Sequence, residues 1–363
     1  MKKFIVVLFI VILWSAVFFQ LFGKDYLEQK RTAQISAQSY TKGFKVSHND
    51  TLRDKINQLI KQYNYNGSVY ITYNNETVVD QSYGFKDAAQ KEKFGKKSMY
   101  LIGSSQKLIT GIITKQLVDS GKIDVNAAVQ QYIPDFDLKQ IKIKDLIIHR
   151  SGLVKYANTG HYHGLDASVA EINRNGFGPV PYGSYLYNDA NYILLAKVIE
   201  NVTHKTYQEN VEARIFNKYH LKESGFFDDN NLRPFFVKGL TDVNNQWEEI
   251  EPFGLDKFVG AGNIYMSPKD MGVFLNYLMQ NKVLNQQQLD DLFAPSIFNT
   301  DSNYRYGFYL KKGFYRTRGY FFGTDFVGLF NRNKVVVVAT NKQKEKDIPN
   351  NEKLAREIFK LLK

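Results

Sequence analysis

The chain has no cysteine among its 363 residues, which excludes disulfides, thiolate metal sites and cysteine nucleophiles. It carries no glycine-rich phosphate loop, no dinucleotide fingerprint and no internal repeat. Its formal charge of +12 is spread along the sequence rather than gathered in blocks, which argues against a nucleic-acid arm. His161 and His163 lie two apart, but no third ligand stands nearby, so they read as a loop pair and no metal is expected. What is present suits a packed protein: 44% hydrophobic and 15% aromatic residues, in a length that fits one large domain or two smaller ones.

One long apolar run stands at the N-terminus. Lys2 and Lys3 precede an almost unbroken stretch from Phe4 to Phe22, which approaches a bilayer span. A cleavage site wants small residues, yet Val17, Phe18, Phe19, Leu21 and Phe22 are bulky. The expectation is therefore an uncleaved anchor over residues 1–23, touching the membrane through 4–22, with the lysines inside and the rest outside; a cleaved signal is the alternative. Residues 24–50 are polar and read as a stalk, and 51–363 as the folded part. An outward-facing basic domain suits polyanions such as teichoic acid phosphates or acidic headgroups, although solubility alone explains the charge equally well.

Helical spacing of Leu52, Ile56, Leu59 and Ile60 opens the folded part, followed by strands at Gly67–Tyr73 and Thr77–Tyr83 around an Asn74-Asn75 turn. Helix-like spacing recurs over Val125–Tyr132, Ile143–His149, Asn188–Val202, Thr206–Phe216 and Pro268–Met279. Strand character returns at Tyr304–Leu310, Tyr320–Phe330 and Val335–Thr340, before a closing helix over residues 351–362. Strands at both ends with helices between them imply a sheet, a helical subdomain over about residues 104–290, and a cleft at their junction.

Ser104 and Lys107 stand at the first step from strands into helices. Leu108, Ile109, Ile112, Ile113 and Leu117 predict an amphipathic helix with Ser104 on its first turn and Lys107 on the same face. A lysine whose pKa is depressed can take the serine proton, and the helix N-terminus favours a developing oxyanion. Spacing alone is weak, because Ser39 and Lys42 repeat it in a polar run with no helix behind it. An ordinary N-cap serine with a surface lysine would look the same.

The surroundings of Ser104 are more specific. Tyr187-Asn188-Asp189 opens a helix, His149-Arg150-Ser151-Gly152-Leu153 forms a turn, and Gly260-Ala261-Gly262-Asn263 precedes another helix. With Val129-Gln130-Gln131-Tyr132-Ile133-Pro134, these stretches resemble the serine β-lactamase and penicillin-binding-protein family over nearly all of residues 51–363. The resemblance implies an α/β (α+β) fold with a five-stranded antiparallel sheet flanked by helices, an all-helical subdomain and a cleft between them. It implies Ser104 as the acylated nucleophile, Lys107 as its base and Tyr187 as the phenol that passes a proton to the leaving group, with no cofactor. A phenol beside a cationic lysine is expected to have a lowered pKa.

Two departures from the family bear on the substrate. Thr317-Arg318-Gly319 stands where relatives have Lys-Thr-Gly or His-x-Gly, followed by Tyr320, whose backbone N–H would join that of Ser104 as oxyanion donor. Asp189 stands where the family usually has Asn and can hold an ammonium group, or merely stabilise its helix. Together they favour a D-alanyl ester of teichoic acid, which presents an ammonium and no free carboxylate. The chain is in fact most similar to the D-alanyl esterases within the family. Arg318 can restore carboxylate binding if it turns into the cleft. The alternatives are a D,D-carboxypeptidase or β-lactamase acting on peptidoglycan fragments or β-lactams, and a non-catalytic cell-wall binding protein.

Overall fold

A computed structural model of the protein describes residues 44–157, 163–342 and 348–363. The proposed anchor, most of the stalk, the Ser39 and Lys42 pair, and His161 lie outside the described residues, among which no helix is long and apolar enough to cross a membrane. The packed unit begins at Val46 rather than Thr51, because Val46 bridges to Thr77.

Helix α1 (Asp50–Gln62) is capped by Asn49, whose side chain accepts from Leu52 N, and buries Ile56 and Ile60. Strands β1 (Gly67–Tyr73) and β2 (Glu76–Tyr83) form a hairpin over Asn74 and Asn75, both at positive φ, as a tight turn of this hand requires. The chain then runs through β3 (Met99–Leu101), α2 (Gln106–Asp119), α3 (Ile143–Ile147), α4 (Gly164–Asn175), α5 (Asp189–Thr203) and α6 (Tyr207–Val211). Short strands follow: β4 (Ser224–Phe226), β5 (Phe236–Val237), β6 (Gly239–Val243), β7 (Gln246–Ile250) and β8 (Ile264–Met266). After α7 (Pro268–Met279) and α8 (Gln286–Phe293) come β9 (Tyr304–Arg305), β10 (Phe308–Lys311), β11 (Phe314–Phe321), β12 (Thr324–Phe330), β13 (Lys334–Thr340) and α9 (Ile348–Leu361).

The main sheet is antiparallel, in the order β2-β1-β13-β12-β11-β10-β9, with seven strands where five were expected. The stretch Tyr304–Leu310 is two short strands bent at Tyr306 and Gly307, and Tyr320–Phe330 spans the end of one strand and all of the next, folded at Phe322 and Gly323. Tyr306 and Phe322 adopt positive φ, which bulky side chains seldom do, so each turn is signalled only by its glycine, Gly307 or Gly323. The middle of the chain is not purely helical either: β4-β8-β3-β5 form a small second sheet and β6-β7 a ribbon. Val125–Tyr132 is not a helix; only Val129–Gln131 turns, while Ala128 bridges to Lys142. The helix at Thr206–Phe216 is α6 followed by a π turn over Glu212–Phe216.

One face of the main sheet packs Val69, Ile71, Val327, Leu329, Val336 and Val338 against Ile56 and Ile60 of α1 and Leu354, Ala355 and Ile358 of α9. On the other face α7 lies on β1, with Gly272 against the Tyr70 ring and Asn276 Oδ1 accepting from Thr72 Oγ1 at 3.0 Å. Full burial of such side chains contributes roughly 1.5–3 kcal/mol each before conformational entropy is set against it. These two faces decide which β11 side chains can meet the catalytic elements.

Candidate active site

Ser104 sits in a one-turn 3-10 helix, Gly103–Ser105, that feeds α2. Gly103 has φ +49°, a conformation that favours glycine. From Leu101 to Lys115 every residue is buried except Ser104, so the chain presents a single hydroxyl from an otherwise enclosed segment. The expected amphipathic helix is therefore enclosed on all sides over its first turns: Gln106, Lys107, Thr110 and Thr114 have no exposed surface. Polar residues survive there because each has a partner. Gln106 Oε1 accepts from Asn263 N at 2.5 Å and Ile264 N at 2.9 Å, and its Nε2 donates to Asn263 Oδ1 at 2.8 Å. Thr110 Oγ1 donates to Gly260 O at 2.6 Å.

Those bonds dock the Gly260–Asn263 loop on α2 and aim a carbonyl at Lys107. Lys107 Nζ donates to Ala261 O at 3.0 Å and to Ser104 Oγ at 3.0 Å, and pairs with Asp189 Oδ1 at 2.7 Å. The Tyr187 hydroxyl is within hydrogen-bonding reach of both Ser104 and Lys107, and Lys107 Nζ lies 5.2 Å from the Tyr187 ring centre. Ser104, Lys107, Tyr187 and Asp189, from two segments of chain, thus meet at one point.

The electrostatics differ from expectation in both groups. Burial opposes the charge on Lys107, but Asp189 and Tyr187 outweigh it and hold the ammonium above its ordinary range. Burial also raises the Tyr187 phenol, and the lysine offsets this only partly, so the pKa is raised rather than lowered. At rest the site holds a lysinium, a carboxylate and a neutral phenol.

Sequence reading missed how Tyr187 is held. His149, at φ +57°, lies with its ring 4.5 Å from that of Tyr187. Its Nδ1 accepts from Asn191 Nδ2 at 2.7 Å and from Asn188 N at 3.3 Å, which leaves its proton on Nε2. Burial, and then Lys107, pushes its pKa well down, so it stays neutral. Asn188 accepts from Ala190 N and Tyr156 N and donates to Leu153 O and Val154 O, pinning the start of α5. Asn191 was visible as a polar residue on an apolar helix, and Gln106 likewise; both are scaffolding for the site.

Strand β11 forms the opposite wall. A Cβ on Gly319 would lie 1.9 Å from Ile102 O and 2.6 Å from Ser104 N, so the strand passes the Ser104 turn at a distance only glycine permits. Gly319 pairs with Phe326 and Tyr320 with Asp325 in the hairpin closed at Phe322 and Gly323. Hydrogen-bond alternation along such a hairpin turns the Tyr320 N–H away from β12, toward the Ser104 side. The backbone N–H groups of Ser104 and Tyr320 can there receive one oxyanion.

Arg318 does not enter the cleft. It is paired with Val327, on the face covered by α9, and its guanidinium clamps Asp325 through two 2.9 Å bonds and meets Glu352 at 3.2 Å. The expectation that it contacts substrate is corrected by this register. Thr317 and Gly319 are among the β11 residues turned the other way. Thr317 is 1% exposed and its hydroxyl has no hydrogen-bond partner among the described residues. Of the histidine pair, His163 Nδ1 meets Asp256 Oδ2 at 2.9 Å, and no cluster of three or more metal-ligating side chains occurs among the described residues.

A serine, lysine and tyrosine gathered at the junction of an antiparallel sheet and a helical subdomain define a serine hydrolase of the β-lactamase fold. The chain belongs to the beta-lactamase family, whose model matches residues 52–359. It is 38% identical over 298 residues to a teichoic acid D-alanine hydrolase of Staphylococcus aureus (strain MRSA252), covering 79% of this chain and 73% of that one. The crystal structure of FmtA from Staphylococcus aureus superposes with a TM-score of 0.80 at 34% identity, covering 88% and 89% of the two chains. A penicillin-binding protein from Bacillus halodurans follows at TM-score 0.71 and 25% identity, covering 82% of this chain and 98% of that one. A D-amino acid amidase from Ochrobactrum anthropi SV3, 19% identical with TM-score 0.73 and 85% and 99% coverage, shares the fold.

Proposed function

We propose that the protein removes D-alanyl esters from teichoic acid on the outer side of the membrane, through an acyl-enzyme on Ser104. Ser104 Oγ attacks the ester carbonyl and gives its proton to Lys107 once that amine is neutral. The oxyanion is received by the N–H groups of Ser104 and Tyr320, the departing alkoxide takes a proton by way of Tyr187, and water then resolves the ester. The observation that carries the substrate choice is the charge pattern of the cleft. Asp189 offers a carboxylate suited to an ammonium, while both basic residues of β11 are committed on the far face, Arg316 to Glu352 and Arg318 to Asp325 and Glu352. A substrate with a free terminal carboxylate, as in D,D-carboxypeptidase chemistry, gains nothing from that arrangement. The name of the Staphylococcus aureus relative points the same way.

The apolar run at residues 4–22 supports an anchor and the polar residues 24–45 a stalk, and the net charge of +12 is compatible with a polyphosphate substrate. The test is release of D-alanine from D-alanylated lipoteichoic acid and, separately, from a muropeptide pentapeptide, with Ser104→Ala as control. Release from the lipoteichoic acid alone is expected. Release from the pentapeptide alone makes the protein a carboxypeptidase, and release from neither, without acylation of Ser104, makes it a binding protein.

A further inference from the structure

Lys107 is arranged so that it cannot act as a base in the resting enzyme. Its side chain is fully buried, and its Nζ is directed at Ser104 Oγ, Ala261 O and Asp189 Oδ1. A protonated amine so engaged has no lone pair for the serine proton. Around it stand Asp189 and Tyr187 at the start of α5, neutral His149, and Tyr207 of α6, whose hydroxyl bonds Thr110. Asp189 is thus the anion that keeps the proton on Lys107. It is also the group substrate can reach: Oδ1 is buried, yet the side chain is 28% exposed, so the exposure lies on the side away from the lysine.

We propose that the substrate's own ammonium group switches on the base, by binding the outer side of Asp189 and displacing its charge from Lys107, which then releases a proton to solvent. This rests on the D-alanyl ester reading and deepens it. The neutral Nζ accepts the Ser104 proton as the Oγ–C bond forms. The proton passes through Tyr187 to the alkoxide as the ester C–O bond breaks, leaving Lys107 neutral. The D-alanyl group still carries its ammonium, so neutral Lys107 takes a proton from the hydrolytic water as the new O–C bond forms and returns it to Ser104 Oγ as the acyl Oγ–C bond breaks. When D-alanine leaves, Lys107 regains Asp189 and a proton. Specificity then arises in activation: an ester lacking the amine enters the cleft and meets a protonated base.

The experiment compares D-alanine methyl ester with N-acetyl-D-alanine methyl ester on the full chain, measuring kcat and KM across pH for wild type and Asp189→Asn. In wild type, kcat for the free-amine ester at neutral pH should exceed that for the acetylated ester by about a hundredfold or more. The acetylated ester should gain roughly tenfold per pH unit toward alkaline pH. Asp189→Asn should reverse the order, slowing the free-amine ester while accelerating the acetylated ester at least tenfold at neutral pH, because the carboxylate that opposes burial at Lys107 is then gone and only Tyr187 acts against it. Asn188 remains as the helix cap, so the variant keeps the start of α5. If the variant leaves the acetylated ester unchanged or slower, Asp189 only binds the amine and the switch is wrong. Coincident wild-type pH profiles for the two esters also overturn it, without needing any variant. Lipoteichoic acid in a third arm separates the readings: a small-ester crossover without release from the polymer upholds the switch and sinks the polymer substrate.

Discussion

Replacing Gly319 by alanine tests whether the oxyanion site is where the backbone places it. The new Cβ would meet Ile102 O at 1.9 Å, Ser104 N at 2.6 Å and Gly103 C at 2.9 Å, all backbone atoms that no rotamer change can move. Ordinary van der Waals contact begins near 3.4 Å, so the strand and the Ser104 turn must separate by about 1.5 Å. An oxyanion donor works at roughly 2.7–3.1 Å, and losing one costs about 2.7–4 kcal/mol, or 10²–10³ in kcat. Strand β11 stays paired with β12 from Tyr315 to Phe321, so the protein should still fold. The assay is kcat and KM on a small D-alanyl ester together with Tm. A fall in kcat of about a hundredfold or more at nearly unchanged KM is expected. A kcat within threefold of wild type at equal Tm would show that the close approach of β11 to Ser104 plays no part in the chemistry.

Two further perturbations probe the frame. Arg318→Met removes the clamp on Asp325, whose side chain has no exposed surface, and breaking such a buried pair costs about 3–5 kcal/mol; a drop in Tm of roughly 10 °C with unchanged KM for the ester is expected, whereas a raised KM at constant Tm would return Arg318 to the substrate. Asp270, in the first turn of α7, is pushed up to about 7 by burial and by neighbouring Glu223. A carboxyl held above its unfolded value contributes stability that is full below about pH 4 and lost as pH rises through 7, on the order of 4 kcal/mol in total. Asp270→Asn should therefore raise Tm increasingly from pH 4 to 8, and a pH-independent difference would show that Asp270 is not the group that titrates.

The sequence carried the site further than the sheet. Ser104, Lys107 and Tyr187 were recognisable because polar residues of these types recur in family-like stretches, and Pro268–Met279 is the α7 helix over the span its apolar spacing indicates. The side of β11 on which Arg318 lies was not legible, because alternation has two solutions until the pairing with Val327 fixes one. The signs of the two pKa shifts were missed for a related reason. Spacing shows which groups are neighbours, whereas the charge on Lys107 depends on the balance of burial against Asp189, which only the packed structure weighs. Short strands such as β5 and β8 carry too few residues for alternation to register.

The most direct test of the central claim is the intact mass of the full chain, quenched with acid during turnover of D-alanylated lipoteichoic acid. A D-alanyl adduct that maps to Ser104, is absent in Ser104→Ala and disappears when substrate is exhausted is the predicted result. D-alanine released at full rate by Ser104→Ala, or an adduct mapped to any other residue, would contradict it.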